Sequence, residues 1–137
     1  MKTVYDIEPT KLVEALAKEL AKNDEIKPPQ YLSYCKSGSH VENAPDREDF
    51  WYVRCASILR QAYIKGRIGV GSLQCHYGGR KRHHVRSAHH KDSGGSIIRD
   101  AMQQLENAGY LKKSDKGGRE LSDVGRQLID RICKEIS

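Results

Sequence analysis

Residues 94–132, GGSIIRDAMQQLENAGYLKKSDKGGRELSDVGRQLIDRI, decide the fold. Ile97, Ile98, Ala101, Met102, Leu105 and Ala108 recur at helical spacing, in a helix that opens after Ser93 or Ser96 and stops at Gly109. Tyr110 to Lys113 and Arg119 to Leu121 flank Ser114-Asp115-Lys116-Gly117-Gly118, which predicts a β-hairpin with a five-residue, glycine-containing turn. Ser122 then caps a last helix with the apolar stripe Val124, Leu128, Ile129, Ile132 and Ile136. Helix, hairpin, helix in this order is the second half of a winged helix.

Upstream lies the rest of that pattern. A helix begins in the acidic turn Asp46, Glu48, Asp49, which complements its N-terminal dipole, and ends at Gly66. Trp51, Cys55, Ile58, Leu59 and Ala62 form its apolar face, and Arg54, Ser57, Gln61 and Lys65 line the opposite side. Phe50, Trp51, Tyr52 and Tyr63 can stack on bases, but at helical spacing beside Ile and Leu they read as core. Val70 to Tyr77 makes a two-turn helix between glycines, and Gly78 to Gly95 reads as a long loop. Residues 9–23 form an N-terminal helix, with Pro9 at its first position and Leu12, Val13, Leu16, Ala17 and Leu20 as its stripe. Lys27 to Pro45 is a wrapping connector with at most one short helix. The expected architecture is mainly α, a winged-helix-like helical domain with a small β-hairpin. Residues 1–137 then make a single domain, an N-terminal helix and connector over 1–45 and a core over 46–137.

No apolar run approaches the roughly 18 residues of a membrane span, and the N-terminus has no hydrophobic core or cleavage site of a signal peptide. A soluble chain is expected. Cys35, Cys55, Cys75 and Cys133 are too few and too scattered for a disulfide scaffold, and two fall on apolar helix faces, which points to a reducing, cytosolic or nuclear compartment.

The chain carries 24 Lys and Arg against 18 Asp and Glu, a net charge of +6. From Phe50 to Lys91 there is no acidic residue, while Arg54, Arg60, Lys65, Arg67, Arg80, Lys81, Arg82, Arg86 and Lys91 are basic, so the remainder is weakly acidic. Such asymmetry predicts a polyanionic partner, and nucleic acid before lipid, because no helix pairs a basic face with a Trp/Phe/Leu-rich one. Arg80, Lys81, Arg82, Arg86 and Lys91 put five cations into twelve residues, dense enough to engage several phosphates of a folded nucleic acid. His83, His84, His89 and His90 are interleaved with them and can stack on unpaired bases. Arg99 on the third helix of the core, with Lys112, Lys113, Lys116 and Arg119 on the hairpin, extends this into one basic face.

The same histidines beside Cys75 and His76 raise a zinc reading, but there is no C-x-x-C pair and the spacing from Cys75 to His83 fits no usual finger, so no metal or other cofactor is expected. The glycines between Gly66 and Gly71 form neither a dinucleotide fingerprint nor a phosphate-binding loop, and no H-E-x-x-H occurs. No catalytic residue is assigned.

Six stretches carry a resemblance over nearly the whole chain. They are TVYD at 3–6, IKPP at 26–29, DFWYVRCASILRQAY at 49–63, GVGSLQCHYGGRKR at 69–82, GGSIIRDAMQQLENAGYL at 94–111 and GGRELSDVGRQLIDRI at 117–132. In this order and spacing the chain resembles the archaeal and eukaryotic e-type family of small-subunit ribosomal protein nineteen. The resemblance implies a structural, non-enzymatic protein lodged in the head of the small subunit. Its implied partners are small-subunit ribosomal RNA and neighbouring head proteins, with neither a membrane nor a small-molecule substrate. It also implies a part in small-subunit assembly and RNA maturation, and a place on cytoplasmic ribosomes, with nucleolar assembly in a eukaryote. Arg54, Arg60, Arg80, Lys81, Arg82 and Arg99 match the family's basic positions, whereas the histidines crowd a loop in which the family often has Asn or Gly. The expected RNA-binding residues are Arg54, Arg60, Arg67, Arg80, Lys81, Arg82, Arg86, Lys91, Arg99, Lys112, Lys113 and Arg119. The alternative from element order alone is a winged-helix DNA-binding regulator, which would need base-reading side chains on the exposed face of the third core helix, the segment after Gly94. That face offers Arg99, Asp100, Gln103, Gln104 and Glu106, two of them acidic.

Overall fold

A computed structural model describes residues 3–41, 47–82, 85 and 87–136, so the readings placed on Asp46, His83, His84 and Arg86 lie outside the described residues. In chain order the elements are α1 (Pro9–Leu20), a 3-10 turn (Gln30–Ser33), α2 (Phe50–Lys65), β1 (Arg67–Ile68), α3 (Val70–Tyr77), β2 (Gly79–Lys81), β3 (His89–Lys91), α4 (Gly95–Asn107), β4 (Leu111–Lys113), β5 (Arg119–Leu121) and α5 (Asp123–Ile136). From α2 onward this is the winged-helix order, with β4 and β5 as the wing.

Buried stripes keep α1, α2, α4 and α5 in place, and Leu73 does so for α3. Pro9 opens α1, and Leu12, Leu16, Ala17 and Leu20 are buried. The helix stops at Leu20, three residues earlier than expected, because the Asn23 side chain accepts the Glu25 N–H at 3.0 Å and sets a turn. In α2, Gly66 takes φ +81° and returns its N–H to Ala62 O at 2.9 Å. Trp51 is 1% exposed and its Nε1–H donates to Gln104 Oε1 of α4 at 2.9 Å. Gln104 also accepts the Lys27 N–H at 3.0 Å and donates to Lys27 O at 2.8 Å, so one amide ties α2, α4 and the connector together. Ser122 Oγ accepts the Gly125 N–H at 3.2 Å, the cap expected for α5. Buried residues of α1 and of the segments flanking it, Val4, Ile7, Leu16 and Ile26 among them, join the same apolar core as those of α2 to α5.

Three features depart from the expectations. First, β1 adds a third strand to the wing, in the order β1-β5-β4, with Arg67 opposite Glu120 and Ile68 opposite Arg119. Second, part of the long basic loop is a separate antiparallel hairpin, β2 with β3. Third, most of the polar side of α2 is covered: Gln61 is buried and α3 lays Tyr77 across Arg54 and Ser57, while Lys65 stays exposed.

The wing closes through Gly118, which has φ +73° and approaches Ile68 O so closely that an added Cβ would sit 2.5 Å away. Gly118→Ala is therefore expected to destabilise the protein by about 1–3 kcal/mol, read as a lower denaturant midpoint with an unchanged slope. A midpoint equal to wild type contradicts this close approach.

Candidate nucleic-acid interface

The β2–β3 hairpin pairs Gly79 with Lys91, Arg80 with His90 and Lys81 with His89. Neither strand contains an apolar side chain, and all of β3 is exposed. A two-stranded hairpin with no apolar face is marginal in water, and setting basic side chains opposite histidines adds repulsion whenever those histidines are protonated. Its base is what holds it. The Ser93 N–H donates to Gln74 O at 3.0 Å, Gln74 Nε2 donates to Ser93 O at 3.1 Å, and the Gly94 N–H donates to Ser37 O at 2.8 Å. His40 packs against Gly79 closely enough that a Cβ there would lie 2.7 Å from its ring. Among the described residues no ion pair holds Arg80, Lys81, Arg82 or Lys91, so the hairpin projects their charge outward from an anchored base.

The hairpin follows directly from α3, where further cations gather. Arg54 lies over the Tyr77 ring at 4.0 Å and the Phe50 ring at 5.3 Å, while Ser57 Oγ and Tyr77 OH are 2.7 Å apart. Burial pushes this guanidinium below its ordinary range, and it remains charged. Arg60 is half-buried, with a buried Nε that has no hydrogen-bond partner among the described residues. His76 is pushed down by burial and then by Lys65, Arg54 and Arg60, so all three cations act at one place on α3. Lys65 is not among the expected contacts, although it belongs to the acid-free run that signals them.

The unfolded chain binds the His76 proton more readily than the folded one, so stability falls as pH drops through the unfolded value of about 6.5. Denaturant midpoints for wild type and His76→Gln should diverge as pH falls, with the variant less sensitive to acid. Parallel curves contradict the cationic surroundings of His76.

The wing carries its cations on two faces. Lys112 and Arg67 flank Glu120 on the outer face, by the register of β1, β5 and β4. Arg119 lies on the other face with Leu121 and Ile68, and its Nε donates to Glu106 Oε2 at 2.8 Å in a largely buried ion pair. Lys113, opposite Arg119, stays exposed. Arg67 and the hairpin β2–β3 mark opposite ends of α3, about 12 Å apart along an eight-residue helix. Arg99 is exposed on α4, beside a groove lined by Tyr31, Cys35, Lys36, Ile97 and Asp100.

The polar face of α4 is partly spent inside the molecule. Tyr31 OH donates to Asp100 Oδ2 at 2.6 Å, Gln104 serves Trp51 and Lys27, and Glu106 serves Arg119. Three of the five side chains that a DNA-reading helix would present are thus committed, two of them to the connector that crosses it.

The profile of the family described as Ribosomal protein S19e matches residues 3–137. The small ribosomal subunit protein eS19 of Haloarcula marismortui is 42% identical over 99% of this chain and 92% of its own length. The eS19A proteins of Schizosaccharomyces pombe and Drosophila melanogaster are each 40% identical over 98% of this chain, covering 93% and 86% of their own lengths. With the profile spanning the winged-helix core and the N-terminal helix alike, the chain belongs to the ribosomal protein S19e family.

Proposed function

We propose that this protein is a non-enzymatic structural constituent of the small ribosomal subunit that binds small-subunit ribosomal RNA in the subunit head. One observation carries the RNA reading: an anchored hairpin with no apolar face projects Arg80, Lys81, Arg82 and Lys91 without an acidic partner among the described residues. Its charge is best satisfied by closely spaced phosphates. Arg67, Arg99, Lys112 and Lys113 extend the contact, while Arg54, Arg60 and Lys65 add a positive field behind it. Arg119 acts through the fold, by fastening the wing to α4. The weakly acidic remainder faces solvent or neighbouring head proteins, and ordering RNA in this way supports subunit assembly, RNA maturation and translation.

The names of the S19e relatives, all small-subunit proteins, support this over a DNA-binding regulator, as does the covered face of α4. Sedimentation of a lysate tests it. The protein should travel with small subunits and whole ribosomes; a dominant free or chromatin-bound pool overturns the proposal.

A further inference from the structure

We propose that Cys75, His90 and Asp92 form a binding site for one divalent ion of the zinc class, which clips the β2–β3 hairpin to α3. The three residues come from the end of α3, the middle of β3 and the position just after it. His90 Nε2 lies 4.0 Å from Cys75 Sγ and 3.3 Å from Asp92 Oδ1, and the three donor atoms all lie within 4.8 Å of one another. A tetrahedral zinc site, with bonds of about 2.0–2.3 Å, sets neighbouring ligand atoms roughly 3.3–3.6 Å apart. The imidazole and carboxylate already stand at that separation. The thiol has to close by about half an ångström on the imidazole and by up to about 1.2 Å on the carboxylate, within the reach of side-chain rotation for exposed residues.

The donor set selects the metal. A thiolate with an imidazole favours zinc and its neighbours, whereas magnesium and calcium demand oxygen ligands. Three protein ligands leave a fourth position for water. Binding sends the thiol proton to solvent, so the two anionic ligands offset the ion and the hairpin gains one positive charge. The site is held ready by its backbone. Gln74 and Ser93, each adjacent to a ligand, exchange two hydrogen bonds, and Gly78 packs directly against the Lys91 carbonyl. His76, the sequence neighbour of Cys75, instead sets its ring edge-on to Tyr77 at 4.8 Å and is outside the group. The trio escapes any finger pattern because its first two members are fifteen residues apart.

Cobalt titration of the reduced, chelator-treated full chain tests the site without reference to RNA. One equivalent of Co²⁺ should bind with a thiolate-to-cobalt charge-transfer band, which Zn²⁺ abolishes by displacement. Cys75→Ser should remove the band; His90→Ala and Asp92→Asn should each weaken Co²⁺ binding by at least about tenfold. Cys35→Ser and His76→Ala should leave the titration unchanged. No band in excess Co²⁺, a band that survives Cys75→Ser, or wild-type affinity in both His90→Ala and Asp92→Asn overturns the proposal. Thermal melts of the metal-free variants check the fold, and the substitutions on separate elements keep the test open if one variant misfolds.

Discussion

Replacing Arg80, Lys81 and Arg82 together by Ala is expected to weaken RNA binding and to flatten its salt dependence by roughly two in the slope of log affinity against log salt. Each cation withdrawn from a phosphate takes away about 0.7 to 0.9 of slope, so three cations at or beside β2 can account for that change. The deficit should therefore widen as salt falls, by about sixteenfold between 200 and 50 mM for a slope change of two. Melting should stay near wild type, because β2 contains no apolar side chain and its anchors lie elsewhere, in Gln74, Ser93, Ser37 and His40. Equilibrium titrations at several salt concentrations measure this. An unchanged slope would show that these cations are only a solvated surface.

Trp51→Ala should do the reverse, damaging the fold before it touches the interface. The indole is almost fully buried and its N–H is one of the bonds through which Gln104 joins α2, α4 and the connector. Removing a buried Trp costs about 3–5 kcal/mol, a large part of the roughly 5–15 kcal/mol that holds a typical domain together. Denaturant unfolding should show the midpoint fall accordingly. A variant with wild-type stability and weak RNA binding would move Trp51 from the core to the binding surface.

These two predictions rest on parts of the molecule that differ in how visible they are in sequence. The apolar stripes of α1, α2, α4 and α5, save for Val124, which is exposed, are legible with the wing hairpin and the Ser122 cap because each is set by residues within a few turns of one another. The two-residue strand β1 is not, since Arg67 and Ile68 become a strand only by pairing with β5, some fifty residues later. The hairpin β2–β3 is hidden for another reason: a strand with no buried face has no alternation to read.

The candidate site divides the same way. Of the acid-free run over residues 50–91, Arg80, Arg82 and Lys91 are exposed and Lys81 half-buried, and Arg99 beyond the run is exposed too. The inward turn of Arg54 depends on Tyr77, that of Arg119 on Glu106, and the meeting of Cys75 with His90 and Asp92 on the anchored base of the hairpin. Helical periodicity records none of these partners.

Ultraviolet cross-linking of purified small subunits, with identification of the modified peptides, tests most directly the proposal that the hairpin faces RNA. RNA adducts are expected on peptides from residues 50–91, densest around Arg80 to Lys91. Adducts confined to α1 and α5, with the hairpin unmodified, would contradict it.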